Sequence, residues 1–245
     1  MKNFKTFAVA ALLAVSATAS AQFTNSSSAS SSSSANTEGW NTIWVEYNPS
    51  SFKYDVKGAD NQSFNGFSFG YSRAFSLTPS TPLFLEAGFG VQYSFFSETE
   101  EGDDDGDWGY DVKTKFNMFS AKIPVNIMYN FQLPNSKISL IPYLGLGLRF
   151  NLSAKTKATA EYWGDLPSYI DEKDEDNERE CNMFDKEDMD GSENTWKRFQ
   201  IGWQIGLKAR FADKFLVGVS YGSDFSEIAK KTKIGGASIT LGYTF

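Results

Sequence analysis

Histidine is absent from the 245 residues, and cysteine occurs once, as Cys181. Without an imidazole, the usual base-activated nucleophiles and most transition-metal sites cannot be built. A single cysteine excludes an internal disulfide and leaves Cys181 as a free thiol or a point of intermolecular pairing. Long apolar runs are missing too. After the first residues no segment supplies the roughly twenty consecutive apolar side chains that a membrane-crossing helix needs. Basic residues are in the minority, 23 Lys and Arg against 30 Asp and Glu for a formal net charge of −7, so nucleic acid is not an expected partner. The chain's excess is in aromatics. Twenty-two Phe, eleven Tyr and six Trp are more than a water-soluble core of this length readily buries.

Residues 1–21 read as an export signal: Lys2 and Lys5 give a positive start, Phe7 to Val15 an apolar run, and Ala19-Ser20-Ala21 a small-residue cleavage site. Residues 22–38 follow as a Ser-rich segment with no apolar periodicity, expected to be a flexible periplasmic tether. From position 39 to the end the pattern changes to strict alternation.

Eight stretches alternate with period 2: Trp40–Tyr47, Asn65–Phe75, Leu83–Phe96, Asn117–Phe131, Ile138–Ser153, Trp196–Phe211, Phe215–Tyr221 and Ile234–Phe245. Most are long enough to cross a bilayer as tilted strands. One face of each is bulky and apolar, as in Phe67, Phe69, Tyr71 and Phe75, while the other carries Gly, Ser, Gln and a few charges. A soluble barrel would have the opposite polarity, with bulk inside. The pattern therefore predicts an all-β protein: an eight-stranded antiparallel up-and-down transmembrane barrel with lipid outside.

The connections agree with this. Residues 76–82, 132–137 and 212–214 are short; 48–63, 97–112, 154–195 and 224–233 are longer, and the two kinds alternate. Short connections are expected at the periplasmic end and long ones outside the cell. Twenty-two of the thirty acidic residues fall in 97–112 and 154–195, which are expected to be acidic extracellular loops. Neither acidic run has the ligand spacing of an EF-hand, so no metal site is assigned. The alternation of Asp111–Lys115 and of Ala154–Trp163 continues beyond what a bilayer needs, as long strands or as a sheet standing above the membrane.

By alternation Glu46, Glu86, Lys122, Arg149, Lys208 and Arg210 point inward. Two readings follow: a salt-bridge network filling a lumen just wide enough for side chains, or a selectivity cluster in a narrow pore. Arg73 falls on the outward face, placed to snorkel to the interface. The last strand runs to Phe245 with Leu241 and Tyr243 on the same outward face, and it must pair with the first strand because an open edge in hydrocarbon leaves backbone groups unsatisfied.

With the export signal, the eight strands, FSAKIPVNIMYNF (119–131), PYLGLGLRF (142–150) and the terminal GYTF, the chain resembles the small Gram-negative outer-membrane β-barrels, the OmpX/OmpW-like "porin family" barrel-domain group. The resemblance implies the cell outer membrane as location, and outer-membrane lipid and lipopolysaccharide as surroundings. It also implies recognition by the barrel-assembly machinery through Leu241, Tyr243 and Phe245. Barrels of this kind include adhesins, enzymes, channels and anchors, so architecture does not settle role. The expectation is a non-enzymatic surface protein without a cofactor, its lumen filled by side chains, with a structural or adhesive role through its loops. The alternative is a small passive channel for ions or solutes.

Overall fold

The structure is a computed structural model that describes residues 37–245, except 57, 59, 105–107, 166–176, 190, 192 and 193. The export segment 1–21, nearly all of the tether 22–38 and the centres of both acidic connections lie outside the described residues. The strands are β1 (Trp40–Tyr47), β2 (Ser50–Tyr54), β3 (Gln62–Ser76), β4 (Leu83–Asp104), β5 (Trp108–Tyr129), β6 (Phe131–Gln132), β7 (Ile138–Gly164), β8 (Glu178–Asn182), β9 (Phe199–Phe211), β10 (Phe215–Asp224) and β11 (Thr232–Thr244).

These pieces form eight antiparallel staves. β1 and β2 keep one register against both β11 and β3, so they are a single stave broken only at Asn48-Pro49, where proline has no amide to donate. β6 likewise continues β5 in register against β7 beyond Asn130. The sheet runs from β3 through β4, β5, β7, β9 and β10 to β11, and β1 with β2 closes it by pairing with both ends. At the seam Asn41 and Phe245 exchange backbone hydrogen bonds of 3.0 Å each, and Thr244 N–H donates to the Lys214 carbonyl at 2.6 Å. The aromatic carboxy terminus is thus held in the wall.

The outward face is apolar through the middle of every stave: Phe67, Phe69, Phe89, Ile127, Leu144, Phe215 and Leu241 are all more than half exposed. From Tyr129 to Phe119 along β5 the band is about 25 Å tall for a tilted strand, the thickness of a bilayer's apolar zone. Arg73 lies exposed on this face, its guanidinium 5.4 Å over the Phe75 ring.

Three strand limits differ from the sequence reading. The first long connection shrinks to 55–61 because β2 occupies part of 48–63. The acidic connection 97–112 is mostly β-hairpin, and 154–195 contains the end of β7 together with β8, which pairs with β7 over Lys155↔Asn182 to Thr159↔Glu178. The extensions at 111–115 and 154–163 are those the alternation had indicated, whereas charged residues obscured the end of β4 and β8, since cross-strand pairing above the apolar band does not require an apolar face. Finally, β7 carries a bulge: Phe119 pairs with Ser153 but Ser120 with Asn151, so Leu152 is unpaired and the alternation shifts by one.

The wall is locally thin where the interior needs room. Gly70 and Gly90 pair across β3 and β4, and the Trp44 indole lies against both. A Cβ on Gly90 would sit 2.7 Å from the Phe69 carbonyl and 2.9 Å from Trp44 Cζ2. Gly90→Leu is therefore expected to destabilise the barrel by about 1–3 kcal/mol through overpacking, seen as a lower denaturant midpoint for loss of the compact, heat-modifiable electrophoretic form.

Candidate functional site

All six charged residues singled out in the sequence point into the lumen, and the structure resolves them into pairs. Near the short-turn end, Glu86 and Lys208 are both buried. Lys208 Nζ lies 2.7 Å from each carboxylate oxygen, Ser72 Oγ donates to Oε1 at 2.9 Å and Asn126 Nδ2 to Oε2 at 2.7 Å. The carboxylate accepts four bonds, the condition under which a buried ion pair offsets its desolvation. Higher up, Glu46 receives Lys122 Nζ at 2.9 Å, Ser68 Oγ at 3.1 Å, Thr240 Oγ1 at 3.2 Å and Asn48 Nδ2 at 3.4 Å. Glu46 stands on β1 and Lys122 on β5, so this bond spans the lumen. So does the one between Glu86 on β4 and Lys208 on β9.

Arg149 pairs with Asp224, a partner that sequence reasoning missed by ending the seventh strand at Tyr221. The signal was present: Gly218, Ser220, Gly222 and Asp224 continue the inward face without a break. Arg210 does not join the network. Its Nη2 lies 3.2 Å from Asp213 Oδ1 in the adjoining turn, and its guanidinium stacks 4.1 Å from the Trp40 ring.

The inward face is not small and polar throughout, which corrects the sequence reading. An aromatic layer of Trp40, Ala74, Phe84, Met128, Ile141 and Tyr143 fills the short-turn end. At the other end Phe52, Phe64, Phe116, Met118, Ala154 and Ile234 come from the staves and Ile228 from the last connection. Met183, Phe184 and Trp196 pack on them from the long connection. Period 2 assigns a residue to a face but does not show that a bulky inward residue at each end meets its counterparts from other staves.

Between these layers lie two cavities. The larger, of about 120 Å³, is lined by Glu46, Lys122, Arg149, Gln204 and Asp224 among others; the smaller, of about 30 Å³, touches Glu86, Lys208 and Tyr143. Their polar walls suit water. The remaining three singled-out residues, Leu241, Tyr243 and Phe245, line the outward face of the closing stave, exposed by 55%, 43% and 60%.

A closed ring of eight staves, apolar outside and charge-paired within, defines a membrane-spanning β-barrel. Residues 13–226 match the family described as "Outer membrane protein beta-barrel domain", and the chain belongs to that family and to the outer membrane. Solved structures similar to it include Ail, the attachment invasion locus protein of Yersinia pestis (17% identity, 85% of this chain and 99% of that one, TM-score 0.38). Others are neisserial surface protein A (13%, 84% and 97%, TM-score 0.36) and the outer membrane enzyme PagL (13%, 82% and 97%, TM-score 0.36). Likeness at this level says nothing about role. No curated protein matches the sequence.

Breaking one buried pair separates its net worth from the cost of an orphaned charge. Glu86→Leu alone is expected to cost about 3–5 kcal/mol because Lys208 is left buried and uncompensated. Combining it with Lys208→Met is expected to recover most of that loss. Denaturant unfolding of the two single variants and the double variant completes the cycle, and additive losses would show that the two groups do not act as a pair.

Proposed function

We propose that this protein is a non-catalytic surface barrel whose lumen is filled by side chains and whose role, structural or adhesive, is carried by the part that stands outside the membrane. The lumen reading is supported by the succession of layers along the axis: the aromatic floor at Trp40 and Phe84, two cross-lumen ion pairs, the Arg149–Asp224 pair, and the apolar cap around Phe116. The half-buried carboxylate of Glu46 and the buried one of Glu86 each accept four hydrogen bonds, which leaves little capacity to act on a substrate or to exchange ions. A conducting path would have to displace both apolar layers.

The outer part is a sheet. β4, β5, β7 and β8 pair side by side above the apolar band, and the β5–β7 ladder runs on from Met118↔Ala154 to Trp108↔Gly164. Ten further residues extend about 30 Å along the strand. Among the described residues the edge of β4 away from β5 has no partner strand from Ser97 onward, because β3 pairs with β4 only as far as Asn65↔Phe95. Its Glu98, Glu100 and Glu101 blunt it against indiscriminate strand addition. Such an edge suits a partner that brings basic side chains with its strand.

The long-connection end faces the exterior in this reading, and Leu241, Tyr243 and Phe245 form the signal read by the assembly machinery. Cys181, partly exposed on β8, reports orientation directly. A membrane-impermeant maleimide is expected to label it on intact cells, whereas labelling only after lysis would place this end in the periplasm. In a planar bilayer the folded full chain is expected to carry no steady current. A salt-proportional current would replace this reading with the channel.

A further inference from the structure

Of the three ion pairs in the lumen, two have complete hydrogen bonding and one does not. Glu46 and Glu86 each accept four bonds, whereas Asp224 receives the Arg149 guanidinium and, at 3.3 Å, the Ile234 amide on Oδ2 alone. Its Oδ1 accepts no hydrogen bond among the described residues. On the other partner Arg149 Nε is buried with no acceptor. The two side chains are only 14% and 10% exposed, so an unmade bond on each is costly unless something else completes both.

This pair borders the larger cavity. Lys122 on β5 and Arg149 on β7 are direct cross-strand neighbours and line it together, while Glu46 and Asp224 reach it from β1 and β10. The cavity therefore has a basic side and an acidic side, and the four charges in its lining cancel. Its room comes from four consecutive staves that each turn a glycine inward at this level: Gly147 on β7, Gly202 on β9, Gly222 on β10 and Gly236 on β11. A Cβ on Gly202, Gly222 or Gly236 would lie 2.8, 2.4 or 2.5 Å from a backbone oxygen, but one on Gly147 would meet no atom within 4 Å. Gly147 faces the open part of the cavity.

Size and charge limit the occupant. An apolar cavity of about 150 Å³ takes up benzene with its six carbon atoms, so one of about 120 Å³ holds about five or six non-hydrogen atoms. A singly charged solute would enter an interior with no counter-charge to spare, whereas a zwitterion brings both signs together.

We propose that this cavity binds a small zwitterion, an α-amino acid of the size of glycine or alanine. Its carboxylate accepts from Arg149 Nε and Lys122, and its ammonium group donates to Asp224 Oδ1, so that both unmade bonds of the pair are completed. A side chain longer than methyl has no room within the glycine wall. The site needs no conducting path and lies inside the ring, so it is tested separately from the bilayer current and from the role of the outer sheet.

The full chain is refolded in a neutral detergent with radiolabelled glycine or alanine present, so that closure of the apolar cap cannot hide the site. Folding is checked by the heat-modifiable electrophoretic form, and bound label is counted by equilibrium dialysis. The parent is expected to bind both amino acids, and to bind acetate, methylammonium and phenylalanine at least tenfold more weakly, since each lacks one charge or exceeds the space. Gly147→Leu fills the open part of the cavity and is expected to abolish binding while the barrel still folds. Asp224→Asn is expected to weaken binding tenfold or more. The probe series on the parent decides charge and size even where a variant does not fold. No bound label on the folded parent, undiminished binding by folded Gly147→Leu, or acetate or phenylalanine bound as tightly as glycine would each overturn the proposal.

Discussion

A backbone amide or carbonyl left unpaired in hydrocarbon costs several kcal/mol, and most of this structure follows from that constraint. It requires the sheet to close, which makes the contact between β1 and β11 indispensable although nearly the whole chain separates the two strands. It also explains why Phe245 is fixed rather than frayed: its amide and carbonyl are both engaged by Asn41. Interruptions such as Asn48-Pro49 and Asn130 shift no register, so the ring of partners stays intact around each defect.

Closure with only eight staves leaves an interior that side chains can fill, and the filling is layered by chemistry. Gly70 and Gly90 admit the Trp44 indole, while the carboxylates of Glu46 and Glu86 each accept four bonds, Glu46 from Lys122 and three further donors and Glu86 twice from Lys208 and once each from Ser72 and Asn126. The ion pairs bridge staves far apart on the ring and act as cross-ties, and an apolar cluster lies at each end of this polar middle.

Outside, three zones succeed one another along the axis: an apolar band, a level of lysines, and strongly acidic connections. β4, β5 and β7 run from the apolar band into the charged zones, and β8 joins them only above the band by pairing with β7.

Period-2 alternation in the sequence alone determined that the chain is all-β, how many staves it has, which face of each is apolar and where the short turns fall. Those properties are local: they depend on the direction of successive side chains along one strand. The inward orientation of Glu46, Glu86, Lys122, Arg149, Lys208 and Arg210 was legible for the same reason. Only the tertiary structure decided that Glu46 meets Lys122, that Glu86 meets Lys208, that Asp224 meets Arg149 while Arg210 turns to Trp40, and that Lys122 and Arg149 lie side by side along one cavity. Each of those depends on the register between strands distant in the chain, and register is set by closure of the whole ring and by bulges such as that at Leu152.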